Sequence, residues 1–465
     1  MSPGRTWWVL VGSCLGLFVL MLDSTEVVLA LPVIDKDLGL SEAGLQWVQN
    51  AYLLMLAATV ITCGRLGDIL GRRRVYIGSV LIFSIGTLVA ALSTGEEMLI
   101  GARLIQGIGG SAMFALSLAI ASNAFPPERQ ATAVGIWAAI SSIGLGIGPL
   151  LGGVLVDSIG WQWIFWTYLP VCAAAIVIIR VFAPETRDEG SSQRIDVQGL
   201  IAVTLGLALV VLALVESEVW GAAALVPFAG GLASLYAFWV IEHRVEAPLV
   251  DFSLFDNAAF LGASVAALAL VGSYWTVMFY EPQFLQGSLG YSVIAAGALI
   301  LPITLPMIFI SPFTGRLMER VGARRLLVSG LLACAAATAA IALLGRNHGY
   351  GAVFVPFLVY GISLALLYAP VSSAAMAALP RAKAGVAAGV LGMVRLMSGA
   401  LLLAASGAIF QNLNDGPKTS ADAVSAALIV PLVVLLLGAV ITFRFLPASA
   451  KHEHPPRIEH HRFHF

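Results

Sequence analysis

The stretch Gly64-Arg65-Leu66-Gly67-Asp68-Ile69-Leu70-Gly71-Arg72-Arg73-Arg74 decides how this chain is read. It holds one acid and four arginines among glycines, between two long apolar segments. It returns as Gly315-Arg316-Leu317-Met318-Glu319-Arg320-Val321-Gly322-Ala323-Arg324-Arg325. In both copies the acid falls four residues after the first glycine, and a further glycine follows three residues later. Each copy ends one apolar segment and opens another, so the chain is a duplicated object. Glycines suit a tight turn between two helices. An acid at a helix end pairs with arginines or with the positive N-terminus of a neighbouring helix. A topology signal would explain the arginines, but not the repeated Asp68/Glu319 or the paired glycines.

Outward from these copies the chain is 59% hydrophobic and only 11% charged. A soluble domain is nearer one quarter charged, so this is an integral membrane protein. A net charge of −1 gives no case for nucleic-acid binding. Cys14, Cys63, Cys172 and Cys334 are far apart, without disulfide or metal spacing. The first apolar run, from Trp7 to Leu31, is too long for a signal peptide and reads as an uncleaved span. At roughly 20 apolar residues per crossing, fourteen segments qualify, the last being Ala423–Phe445. Arginines crowd alternate loops, while the intervening loops hold only Lys36, Arg346 and Lys418. The bias predicts a multi-pass cell-membrane protein with both termini in the cytoplasm. Trp161, Trp163 and Trp166 fall where an aromatic belt would start span 6. The histidine-bearing tail after Lys451 reads as solvated and disordered before it reads as a weak metal site.

The repeat divides the chain into an N-terminal six-helix bundle (1–183), a linker region with two extra spans (184–257), a C-terminal six-helix bundle (258–446) and a tail (447–465). The first glycine-arginine copy resembles the signature loop between spans 2 and 3 of the major facilitator superfamily. Fourteen spans with an inserted pair resemble its drug:proton antiporter-2 branch, of multidrug-efflux type, over nearly the whole chain. Leu22-Asp23-Ser24-Thr25 with Ala30-Leu31-Pro32 looks like that branch's first-span motif. Trp47 with Tyr52-Leu53 looks like its second, and Gly385-Val386-Ala387-Ala388-Gly389-Val390 followed by Arg395 like its thirteenth. The resemblance implies an all-α major facilitator fold: two six-helix bundles that rock about a central site, plus two inserted helices. It makes Gly64, Arg65, Gly67, Asp68, Gly71, Arg72 and Arg73, with Gly315, Arg316, Glu319 and Arg324, the latch of a cytoplasmic gate.

Charge buried in a bilayer is costly, and is a functional hypothesis by default. Asp23 lies in the outer half of span 1, and the family's matching acid implies a protonation or cation site. The plainer reading is a structural acid bonded to Ser24 or Thr25. Glu26, three residues on, shares a helix face with Asp23. It departs from the family pattern, and either shares a proton with Asp23 or widens a negative cavity. Arg103, in Arg103-Leu104-Ile105-Gln106-Gly107, resembles the fourth-span motif whose arginine is linked to proton transfer. Counted at 1.5 Å per residue, Asp23 and Arg103 lie at depths within roughly 5 Å of each other, so they can meet. Arginine does not readily release a proton, so its expected task is to tune the carboxylate. Gly144, Gly148, Pro149, Gly152 and Gly153 resemble the fifth-span antiporter motif, which implies export. Glu281, where the family carries an aliphatic residue, is either an outer-vestibule contact or, more plainly, an interfacial acid. Tyr274, Tyr280 and Tyr368 are candidate cavity aromatics, though such a stripe is more often packing. Glu216 and Glu218 read as loop.

Together these readings predict a proton-coupled antiporter exporting small amphiphilic drugs or toxic compounds, cationic ones among them, by alternating access. An exporter of an endogenous lipid, siderophore or secondary metabolite is the nearest alternative, and a non-transporting membrane sensor a distant one. No enzyme constellation and no metal spacing are present. The expected cofactors are none beyond protons as coupling ion, the expected partners are substrate and bilayer, and the expected state is a monomer.

Overall fold

The computed structural model describes residues 3–126, 129–187, 196–246, 248–345, 349–380, 383–413 and 421–447. The tail expected to be disordered lies outside them from residue 448 onward. Among these residues fourteen helices are long and apolar enough to cross a membrane. The first six are Gly4–Leu38, Glu42–Leu70, Arg72–Ala91, Glu96–Asn123, Thr132–Ile159 and Gln162–Phe182. Spans 7 and 8 are Val197–Val215 and Ser217–Glu242. Spans 9 to 14 are Ala258–Ser288, Val293–Val321, Ala323–Leu344, Gly349–Ala377, Val386–Gln411 and Ala421–Phe445. The protein is a multi-pass membrane protein with an all-helical fold.

Short polar caps start several spans where the sequence needs them. The side chain of Ser41 accepts from Gly44 N at the head of span 2, and Asn257 accepts from Ala259 N and Phe260 N at span 9. Asp196 and Ser292 do the same for spans 7 and 10. Each satisfies a donor the helix cannot satisfy itself.

The two glycine-arginine copies differ from the tight glycine loop expected of them. Gly64 and Gly67 lie inside span 2, and Gly315 inside the last helical stretch of span 10. Only Gly71 (φ 110°) and Gly322 (φ 89°) make the turns. One left-handed glycine suffices to reverse the chain between abutting helices, and the helix on either side makes the rest of each copy regular.

The face carrying these turns is called here the arginine-rich face, and its opposite the far face. Span 5 packs on span 1 within the first half and on span 10 of the second. Span 2 packs on span 13, and span 7 packs on both of them. The inserted pair therefore covers one seam between the halves. Hydrogen bonds join the halves from the far face to mid-depth. Asp157 Oδ2 accepts from Ile294 N at 3.2 Å, Gln286 Nε2 donates to Leu29 O at 2.9 Å, and Thr304 Oγ1 donates to Gly146 O at 2.9 Å. Pro149 O lies so close to Gly297 that a Cβ there would collide with it. The far side is sealed in this conformation.

Two sequence expectations need correction at this level. Trp161 is buried and donates from Nε1 to Asp37 Oδ2 at 2.7 Å, so it packs the helix corner and only Trp163 and Trp166 face outward. Glu218 is not loop: it lies in the helical start of span 8, whereas Glu216 is the turn residue that closes span 7. Glu216 Oε1 accepts from Trp47 Nε1 at 2.9 Å, which ties the insert to span 2.

Candidate transport site

Span 1 carries its polar run, Asp23 to Glu26, wholly inside the protein. Ser24 Oγ donates to Leu20 O at 2.7 Å and Thr25 Oγ1 to Leu22 O at 3.2 Å. Both hydroxyls are bound to carbonyls of their own helix, so neither serves Asp23 as the plainer reading supposed. Asp23 and Arg103 are each fully buried. Arg103 Nη1 donates to Oδ1 at 2.7 Å and Oδ2 at 2.8 Å of Asp23, and to Gln106 Oε1 at 2.9 Å. Its Nε donates to Val48 O at 3.1 Å, and Gln106 Nε2 passes the chain on to Thr87 Oγ1 at 2.9 Å. Charge-assisted bonds of this kind fix both side chains. Arg103 Nη2 has no hydrogen-bond partner among the described residues. The guanidinium carbon lies 4.2 Å from the centroid of the Tyr52 ring, within range of a cation–π contact.

Glu26 is buried beside this pair yet serves a different partner. Tyr168 OH of span 6 donates to Glu26 Oε2 at 2.7 Å. The two neighbouring acids are thus each given a separate donor.

The glycines of span 5 explain how span 1 is held so close. Each of three positions four residues apart would meet span 1 if it bore a Cβ. Gly144 abuts Met21 and Phe18, Gly148 abuts Thr25, and Gly152 abuts Glu26. Gly146 and Gly153 point instead at Ile308 and Ile294 of span 10. Span 5 is therefore a two-faced helix. One glycine ridge grips the span with the acids, and the other faces the opposite half.

Between the halves lies a cavity of about 770 Å³ of empty space, part of it open to solvent. Met21, Ser24, Tyr52, Phe114, Tyr274, Trp275, Tyr368 and Arg395 are among its walls. Tyr52 thus touches Arg103 on one side and the cavity on the other. Tyr274 and Tyr368 line the cavity as expected of them, but Tyr280 does not. Its ring packs on Phe410 of span 13, with centroids 5.2 Å apart. Six positions separate Tyr280 from Tyr274, whereas seven keep one helix face. Glu281 obeys that rule and lies on the face of Tyr274. It is not an interfacial acid: it is 0% exposed, and neither carboxyl oxygen has a hydrogen-bond partner among the described residues.

The two glycine-arginine copies are unequal. Asp68 accepts from Arg72 Nη2 at 2.7 Å across the Gly71 turn between spans 2 and 3. Glu185, just past span 6, accepts from Arg73 N at 3.0 Å and lies 3.6 Å from both the Arg73 and Arg74 side chains. Arg72 N donates to Thr186 O at 3.0 Å, and Arg65 Nη1 reaches Pro248 O at 3.5 Å. In the second copy Glu319 is exposed and forms no ion pair among the described residues. Arg324 stacks 3.9 Å over Phe443, and Arg316 lines an open hollow with Phe313. Nearby, outside the spans, Asp251 is held below the usual carboxylate range, first by the Ser253 hydroxyl and then by Lys383 at 3.1 Å.

Sequence reasoning missed Tyr168, Gln106 and Glu185. Tyr168 and Gln106 look like ordinary residues of an apolar span, and only the packing of spans 1, 4 and 6 gives them acids or arginines to meet. Glu185 carried a readable signal, an acid directly after a span on the arginine-rich side.

The model of the Major Facilitator Superfamily matches residues 13–403. The chain belongs to the major facilitator superfamily. This facilitator is 32% identical to the multidrug resistance protein Stp of Mycobacterium tuberculosis over 86% of its length and 75% of the relative. It is 30% identical to the tetracenomycin C resistance and export protein of Streptomyces glaucescens, over 87% and 76%. A crystal structure of the POT family transporter PepTSo superposes with a TM-score of 0.69 at 14% identity, covering 96% of this chain and 98% of that one. The facilitator's family and fold make it a transporter rather than an enzyme.

Proposed function

We propose that this facilitator exports amphiphilic drugs from the cytoplasm in exchange for protons. The observation that carries the reading is the buried Asp23–Arg103 pair, joined to the central cavity through Tyr52. Relatives named for drug resistance and export support the direction, as does the glycine ridge of span 5. The arginine-rich face is cytoplasmic in this reading, as the positive charges require, and so are both termini. The conformation is then sealed outside.

Protonating Asp23 leaves Arg103 without its counter-charge, and the strength of that pair is what couples the proton to the conformation. With the pair intact, Arg103 holds spans 1, 2 and 4 together through Asp23, Val48 and Gln106. With Asp23 neutral, the hold weakens and Tyr52 is released from the guanidinium. A proton taken from outside thereby loosens the wall against which substrate rests. The loop tied by Asp68, Arg72, Arg73 and Glu185 keeps the first half rigid while it rocks.

The test is substrate-dependent proton movement. Proteoliposomes holding a pH-sensitive dye are challenged with amphiphiles of either charge. Proton flux that appears only with an accepted amphiphile supports antiport. A folded protein that moves amphiphiles with no proton flux would refute it.

A further inference from the structure

Arg395 is the one charged side chain among the described residues that line the central cavity. Its Nη2 donates only to neutral acceptors, Ser372 Oγ at 2.7 Å and Tyr368 O at 3.1 Å. The guanidinium carbon lies 4.9 Å from the Tyr368 ring centroid. No carboxylate pairs with it among the described residues, and its Nε is buried without a hydrogen-bond partner. The contrast with Arg103 is direct, since that charge is answered by Asp23 at 2.7 Å.

A guanidinium keeps its charge in proteins, so the cavity holds a fixed positive centre in an apolar setting. Such a centre is stabilised by an anion that takes its free donors as charge-assisted bonds. Among the described residues no acidic side chain lines the cavity to answer a cation. The remaining walls suit a flat ring. Trp275 and Tyr274 stand edge to face, with centroids 5.7 Å apart, and Tyr274 OH is a second buried polar group without a partner.

We infer that the cavity binds planar aromatic anions, with the carboxylate, sulfonate or phenolate of the ligand on Arg395 and Tyr274 OH and its rings against Trp275. The charge is opposite to that of the cationic substrates the sequence suggested. The inference rests on this cavity being the substrate site, and not on proton coupling. Arg395 closes a motif in the sequence, yet its task shows only when spans 9, 12 and 13 are brought around it.

Binding tests this without any gradient. The purified protein in lipid nanodiscs is titrated with fluorescein, an anionic xanthene at mildly alkaline pH, and with a cationic rhodamine ester of the same ring system. Fluorescence anisotropy reads the affinity against empty nanodiscs. The inference predicts fluorescein bound roughly tenfold or more tightly than the rhodamine ester, as one charge-assisted contact would give. Arg395→Gln removes the preference, and Arg395→Lys restores part of it. Displacement from the parent guards against a variant that fails to fold: naphthalene sulfonate competes with fluorescein and naphthyl trimethylammonium does not. Equal or tighter binding of the rhodamine ester overturns the inference. So does parent-like fluorescein affinity in a folded Arg395→Gln protein. The expected preference in a protein that moves no protons supports this inference and defeats only the antiport reading.

Discussion

At the scale of single residues, Asp23 and Arg103 have to be judged together. Removing one partner of a buried ion pair leaves the other charge uncompensated and costs about 3–5 kcal/mol. Asp23→Asn is therefore expected to lower the melting temperature of the purified protein. Adding Arg103→Gln restores much of that loss, because a buried pair contributes little net stability once both charges are gone. Neither protein exports under a proton gradient. A double variant no more stable than the single one would mean that Arg103 has another counter-charge. Glu281 poses the opposite case, since its carboxyl is enclosed without a hydrogen-bond partner among the described residues. Replacing an unsatisfied buried polar group by an apolar one of similar shape is neutral or stabilising. Glu281→Met is thus predicted to raise thermal stability by about 1–3 kcal/mol, measured by differential scanning fluorimetry. A fall in stability would show that Glu281 has a partner in the folded state. Asp23 was visible in the sequence as a charge within an apolar run, and Glu281 only as an acid at the end of one. What separates their situations is the arginine one meets and the other lacks, and that depends on the meeting of helices far apart in the chain.

Helices impose a different logic, in which glycine is judged by what faces it. Gly148 abuts Thr25 so closely that an added methyl group displaces the Thr25 hydroxyl, whereas Gly78 of span 3 has nothing near its missing Cβ. Gly148→Ala should therefore disturb the polar run of span 1 beside Asp23 and lower export by roughly tenfold or more, as small misplacements at a working site do. Gly78→Ala should leave export unchanged and stabilise span 3 by about 0.5–1 kcal/mol. Transport assays and thermal melts on the two variants check this, and similar behaviour of both would contradict the packing. The exposed Lys383–Asp251 contact marks the lower end of the scale, worth at most about 1 kcal/mol. Because the Asp251 carboxyl is depressed, that small contribution is present at neutral pH and lost as pH falls through the depressed value. The spans themselves were legible because length and apolar character suffice to mark a crossing. The gate helices were less so. Gly64 and Gly315 lie within helices, since glycine marks both turns and close packing and the sequence does not say which. Trp161 was misjudged for a related reason: three tryptophans in six residues suggest a belt, but one of them turns inward to reach Asp37.

The whole molecule is closed on the far side, and its two glycine-arginine copies are held unequally. Pro149 O against Gly297 is a close backbone meeting of the halves on that side. Gly297→Ala should disfavour this conformation and expose the seam. With Thr304→Cys as reporter, since Thr304 bonds across the halves to Gly146 O, a membrane-impermeant maleimide applied from the far face should label faster. A roughly tenfold increase corresponds to a shift of about 1.4 kcal/mol between the two conformations. Unchanged labelling would mean that the seam does not part in the cycle. The duplication was readable from the paired Asp68 and Glu319, but their inequality was not, because it comes from Glu185 on one side having no counterpart among the described residues on the other. The central claim remains that the Asp23–Arg103 pair ties proton to cargo. The most direct measurement is dye movement in proteoliposomes under an imposed proton gradient, comparing the parent with Asp23→Asn. The account predicts gradient-driven movement by the parent that Asp23→Asn abolishes while dye binding persists. Gradient-driven movement at the parent rate in Asp23→Asn would contradict it.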